Sequence, residues 1–181
     1  MPEYYEYELM KAAHKMASEM FKLKPGETIV ITADTESDRR VVDATAAAAF
    51  AVGAKPMVIW TASPLGVGKA ADPMLPVEAL TAALTVTDAW VEFNNEWLLY
   101  STPYEVAQRE NKKLRYLNAC GMNVDMMVRL IARVDLAILG KYQRKLVSLT
   151  KAAKHVKMTT PSGGDICLLY TSDAADEEDS V

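Results

Sequence analysis

Two acidic, amide-rich stretches carry the side chains best suited to chemistry. Trp90-Val-Glu-Phe-Asn-Asn-Glu-Trp-Leu-Leu-Tyr100 sets Glu92, Asn94, Asn95 and Glu96 beside Trp97 and Tyr100 at the end of an apolar run. Asp34-Thr-Glu-Ser-Asp38 follows an earlier β-branched run in the same way. Carboxylates and amides at a strand end can orient a polar ligand while aromatic rings wall its apolar side. The competing reading gives the asparagines to turns, Asp34 and Ser37 to N-capping of the next helix, and the aromatics to the core.

No self-contained catalytic constellation accompanies them. With His14 and His155 as the only histidines, a converging metal-ligand set is not available. Cys120 lacks a neighbouring base, and no Gly-x-Ser-x-Gly elbow is present. The turn after the first strand has acidic side chains where a nucleotide-binding turn has glycines, and Gly66-Val-Gly68-Lys69 lacks the spacing of a phosphate loop. The catalytic and metal assignments are therefore none, and Asp34, Asp38, Asn94, Asn95, Glu96, Trp97 and Tyr100 are candidates for the wall of a cleft.

The last fifteen residues differ in character. Cys167-Leu-Leu-Tyr-Thr-Ser-Asp-Ala-Ala-Asp-Glu resembles a translated sequencing adapter, so residues 167–181 are expected to be non-native, poorly ordered and without fit to the core. This puts the end of native sequence near Asp165 or Ile166 and makes the chain an N-terminal fragment. The formal charge of −4 owes much to this tail, which carries five acids; the remainder is near neutral. A basic face for nucleic acid is absent. The acidic, aromatic start is unlike a signal peptide, and the longest weakly polar run, Ala44 to Val52, is far short of the roughly 20 residues that span a bilayer. One native cysteine excludes an internal disulfide and fits a cytoplasmic setting.

The elements that must position the candidates follow from periodicity. Leu9, Ala12, Ala13, Met16, Ala17 and Met20 give a helix over Glu6 to Lys22, ended by Lys24-Pro-Gly26. Thr28 to Thr32 is a buried strand, Asp38 to Val52 a helix closed by Gly53, and Lys55 to Trp60 a second strand, together a right-handed βαβ unit. A loop from Thr61 to Pro76, a helix over Val77 to Leu84 and a strand over Ala89 to Phe93 come next. Ser101 caps a further helix, Leu114 to Leu117 is a fourth strand, Asp125 to Arg133 and Leu136 to Ala153 are helices, and Val156 to Thr160 is a final strand entering a hairpin turn at Pro161 to Asp165. This order predicts an α/β, Rossmann-like fold with a mostly parallel sheet and flanking helices, interrupted at the hairpin turn. The domain reading is residues 1–160 for the α/β domain, 161–166 for the start of the hairpin and 167–181 for the tail.

Lys24-Pro-Gly-Glu with Ile29-Val-Ile-Thr-Ala-Asp-Thr, Val52-Gly-Ala-Lys-Pro-Met-Val-Ile, and Leu149-Thr-Lys-Ala-Ala-Lys-His-Val-Lys-Met-Thr-Thr-Pro-Ser-Gly-Gly-Asp resemble the aminopeptidase T group of thermophilic metallopeptidases. Gly164 stands where that group usually has threonine. The resemblance implies a cytoplasmic, homodimeric exopeptidase with two divalent metals, zinc or cobalt, held by a C-terminal domain beyond this turn and acting on peptides. The fragment would hold none of these metals itself. The iron dioxygenases that open the dihydroxypyridine ring are similar in sequence and layout and give the alternative activity. A non-enzymatic Rossmann-like binding module is the third reading.

Overall fold

The computed structural model describes residues 5–169. The chain divides into two compact units, residues 1–134 and 135–181. In the first, four parallel strands, β1 (Thr28–Asp34), β2 (Lys55–Thr61), β3 (Ala89–Glu92) and β4 (Arg115–Asn118), lie in the order β2-β1-β3-β4. β1 is central and buried from Ile29 onward, which its β-branched, almost wholly apolar sequence allows.

The pleat sorts the core into two layers. Ile29, Ile31 and Ala33 of β1, with Val91 and Phe93, pack against α1 (Glu6–Lys15), α2 (Arg39–Ala51) and α5 (Val124–Met127). Val30 and Trp90 point the other way, onto Leu80 and Leu84 of α3 (Val77–Val86) and Ala107 of α4 (Thr102–Glu110). Alanines dominate the buried face of α2, at Ala44, Ala48 and Ala49, so this helix lies close on the sheet.

Most boundaries fall within a residue or two of those read from periodicity. The first helix keeps its expected run but changes pitch, with Met16–Met20 in a π-helical turn, and Val128–Ala132 prolongs α5 in the same manner. The stretch read as a loop from Thr61 to Pro76 contains a 3-10 helix, Gly68–Met74. Its glycines and internal Pro73 are loop-like in local preference; its order comes from tertiary bonds, Asp72 accepting from both the amide and the hydroxyl of Thr102 at 3.0 and 2.6 Å.

At the N-terminal edge of the sheet, Asp88 accepts from the Thr28 amide at 2.8 Å and the Lys113 ammonium at 2.7 Å. Arg115 donates to the Phe21 carbonyl and to Glu27, both at under 3 Å, fastening β4 to the turn that precedes β1.

The second unit holds α6 (Leu136–Ala152), capped by the Asp135 carboxylate, and an antiparallel hairpin of β5 (His155–Thr159) and β6 (Asp165–Leu169). Its turn explains Gly164. The Thr160 hydroxyl accepts the Gly164 amide at 3.0 Å, and a Cβ at 164 would come within 2.8 Å of that oxygen. Residues 167 and 168, expected to be poorly ordered and without fit to the core, continue β6: Cys167 pairs with Lys157 and Leu168 with Val156, and both side chains are exposed. The expectation for residues 170–181 lies outside the described residues. No helix among the described residues is long and apolar enough to cross a membrane.

Replacing Ile31, fully buried in β1, by alanine should cost about 2–5 kcal/mol through lost burial and a cavity, read from urea unfolding. Asp88 generates a pH dependence. The Lys113 ammonium, and after it the Thr28 amide, hold its carboxyl below the usual range. A depressed folded-state pKa contributes stability above the unfolded value and loses it as pH falls through the folded one. Asp88→Asn should therefore unfold at lower urea than the parent at about pH 7, with the gap closing toward about pH 3. An equal gap at every pH would show that charge plays no part.

Candidate functional site

The strand order places a switch point at the C-terminal ends of β1 and β3. The chain leaves β1 for α2 on one face and leaves β3 for α4 on the other, so the two connections part there and open the crevice in which α/β folds commonly bind ligands. Both candidate stretches lie on this edge.

Asp34 fills the crevice. Its side chain is fully buried; Oδ2 accepts the amides of Asn95 at 2.7 Å and Glu96 at 3.2 Å, and Oδ1 accepts the Glu36 amide and the Ser37 hydroxyl at 3.0 and 3.1 Å. The Ser37 hydroxyl also lies 3.0 Å from the Phe93 carbonyl. A carboxylate of the chain thus takes the backbone donors that a bound anion would take in a nucleotide-binding fold. The expected N-capping by Asp34 and Ser37 is corrected: Asp38 caps α2, accepting the Arg40 amide, and reaches the Val124 amide at 3.3 Å. Burial raises the Asp38 pKa, but hydrogen bonds and charge from Arg40 outweigh it and hold the group below its ordinary value.

Behind the loop after β3, Glu92 is wholly buried. It accepts the Leu98 amide, the Tyr116 hydroxyl at 2.6 Å and the Cys120 thiol at 3.0 Å. Burial pushes its carboxyl up despite these donors, and burial together with the neighbouring Glu92 pushes the Tyr116 phenol and the Cys120 thiol up as well. Both effects favour the protonated thiol at Cys120. Trp90 packs on Tyr116 with ring centroids 4.5 Å apart and planes tilted by 40°, and Tyr116 meets Tyr104 edge-on at 5.2 Å.

The candidate residues separate by exposure. Asp34 and Asn94 are fully buried, so neither reaches across a cleft; neither the oxygen nor the nitrogen of the Asn94 amide has a protein partner among the described residues. Asn95 lies at the surface, its amide nitrogen 2.8 Å from Glu36. Trp97 and Tyr100 are 45% and 55% exposed, too open to be core. Sequence reasoning passed over Glu92 as a tie, although a glutamate inside an otherwise apolar strand, Ala89-Trp-Val-Glu-Phe93, is the signal of a buried, satisfied carboxylate. Lys69 pairs with Glu105 at 2.6 Å, and Gly68 is needed for close packing against the Leu99 carbonyl, so the Gly66 to Lys69 stretch makes structural contacts.

The sheet and its crevice define a Rossmann-like α/β domain with a self-filled switch point. A family model described as 2,5-dihydroxypyridine 5,6-dioxygenase (NicX) matches residues 9–177, and the chain belongs to that family. Among solved structures, the chain is similar to 2,5-dihydroxypyridine dioxygenase from Pseudomonas putida KT2440 at 18% identity and a TM-score of 0.66, covering 90% of this chain and 47% of that one. It is also similar to wild-type AmpT from Thermus thermophilus, at 14% identity and a TM-score of 0.51, covering 89% of this chain and 58% of that one. At these identities both show the fold. No curated protein matches. The chain spans about half the length of the solved dioxygenase it resembles.

These findings correct the aminopeptidase reading. The fold is shared with AmpT, but the family match is to the dioxygenases, so the hydrolase assignment and its zinc or cobalt pair fall with it. The aminopeptidase resemblance rested on turns and strands, not on catalytic groups.

Asp34→Ala should leave the part-buried Asn95 and Glu96 amides without their acceptor and destabilise by about 1–3 kcal/mol, measured by urea unfolding. Asp34→Asn, which keeps an oxygen, should lose less. Equal and small losses would show that water replaces the carboxylate.

Proposed function

We propose that this chain forms the N-terminal α/β half of an iron-dependent dioxygenase that opens a dihydroxypyridine ring. Membership of the dioxygenase family over residues 9–177 carries this reading. The described residues do not fit the metal themselves: no group of three or more His, Cys, Asp or Glu side chains among them could hold an ion. The iron would supply oxygen activation from a ligand set outside residues 5–169.

The half described here contributes a wall. The loop after β3 turns Trp97 and Tyr100 outward from a sheet edge where crevices form, while Asp34 and Glu92 hold that loop from beneath. Asn95 and Glu96 supply polar contacts at its rim. Asn94, fully buried and lacking a protein partner among the described residues, is a place for an ordered water. A reducing, cytoplasmic setting suits a ferrous enzyme with an unbridged thiol at Cys120.

The test compares this chain with the same chain carrying the native coding sequence that continues it. Both are supplied with ferrous iron and 2,5-dihydroxypyridine, and loss of the substrate chromophore is followed with oxygen uptake. The longer protein should consume both in equal amounts and the chain alone should consume neither. Hydrolysis of an aminoacyl p-nitroanilide by the longer protein, without ring opening, would overturn the assignment.

A further inference from the structure

Tyr100 is held in a conformation that its residue type disfavours. Its φ is +66°, in the left-handed region where a Cβ crowds the backbone, and the loop around it is fastened at every side. The Gly68 amide donates to the Trp97 carbonyl at 3.0 Å, Glu92 accepts the Leu98 amide, the Ser101 amide donates to the Leu98 carbonyl at 2.8 Å, and Asp72 takes the amide and hydroxyl of Thr102. Gly68 approaches so closely that a Cβ there would meet the Leu99 carbonyl at 2.9 Å.

A glycine at position 100 would satisfy this backbone without strain, so the tyrosine must be accounted for by its ring. Packing explains only part of it. The ring meets Tyr104 edge-on at 5.9 Å, yet 55% of the residue stays open to solvent, beside a half-exposed Trp97 and on the same strand-end edge as the filled crevice. A strained, tightly clamped residue with an exposed aromatic face is built to present that face.

We propose that Tyr100 is a specificity-determining residue whose ring stacks on a planar heteroaromatic substrate in the whole protein. The proposal rests on the dioxygenase reading above, which names a planar ring as substrate. Stacking on an aromatic side chain contributes about 1–3 kcal/mol per ring. That corresponds to about a 5- to 150-fold change in binding. Because the face binds substrate without touching the reacting bond, its loss should fall on KM and leave kcat nearly unchanged.

The experiment measures ring-opening kinetics and melting temperature for the longer protein and its Tyr100→Gly, Tyr100→Leu and Tyr100→Phe variants. Tyr100→Gly should melt at the parent temperature or a few degrees above it, having lost the strain, while its KM for 2,5-dihydroxypyridine rises about tenfold. Tyr100→Leu should show the same rise in KM, and Tyr100→Phe, which keeps the face, should stay within about twofold of the parent. Parental KM in the glycine and leucine variants overturns the stacking role and leaves the dioxygenase reading intact. A rise in the phenylalanine variant equal to that in glycine also overturns it, assigning the contact to the hydroxyl. A glycine variant that melts several degrees lower returns Tyr100 to packing against Tyr104 and overturns the proposal as well. Absence of ring opening in the parent overturns both readings.

Discussion

Asp34 sits where the chain leaves the central strand, and its two oxygens gather four donors from both sides of the switch point. Without that carboxylate the amides after β3 would have no acceptor, and the loop carrying Trp97 and Tyr100 would lose the anchor nearest its start. The arrangement inverts the nucleotide-binding design. There, glycines clear a space so that backbone amides can face an anion; here an acidic side chain occupies the space permanently. The price is a charge taken out of water, which four hydrogen bonds offset. The crevice is thereby converted from a ligand site into a rigid footing for the rim above it.

Glu92 repeats the device one strand register away. Asp34 fastens the beginning of the loop and Glu92 its middle, while Asp72 fastens the first residue of α4. Three acids on three different segments therefore define one exposed rim. Their chemistry is that of acceptors for backbone donors, and this accounts for a site rich in carboxylates that nonetheless assembles no metal-binding group among the described residues.

The fold was legible because its signals are local: β-branched Thr28 to Thr32, the alanine-rich helix closed by Gly53, and Ser101 ahead of Pro103 all state their conformations within a few residues. Boundaries suffered where pitch changed to a π turn, for which periodicity carries no distinct mark, and where the 3-10 helix at Gly68 drew its order from Asp72 and Thr102, thirty residues apart. The candidate site was half legible. Residue type and strand end located Asp34 and Asn94 to Tyr100, but which of them turn inward depends in part on distant partners, as with Asp34 and Asn95, 61 positions apart along the chain. The aminopeptidase reading leaned on the turns at Lys24 to Gly26 and Pro161 to Asp165, and scaffold residues do not distinguish reactions.

The strand order also sets a sequence of events in folding. β1 can find β2 through a short crossover, whereas its other flank waits for β3, and the Asp34 bonds to the following loop close over a separation of 61 residues. Contacts of that range carry a larger loop-closure entropy and slow the search. On a ribosome the β1-α2-β2 unit emerges first, with Val30 and the flank of β1 still open and Asp34 still hydrated. The carboxylate loses its water only when residues 93–96 arrive to replace it, so the rim that presents Trp97 and Tyr100 is among the last parts of the sheet edge to become rigid. Nascent chains halted between β2 and β3 would carry an unpaired apolar strand edge, a state that holdase chaperones recognise.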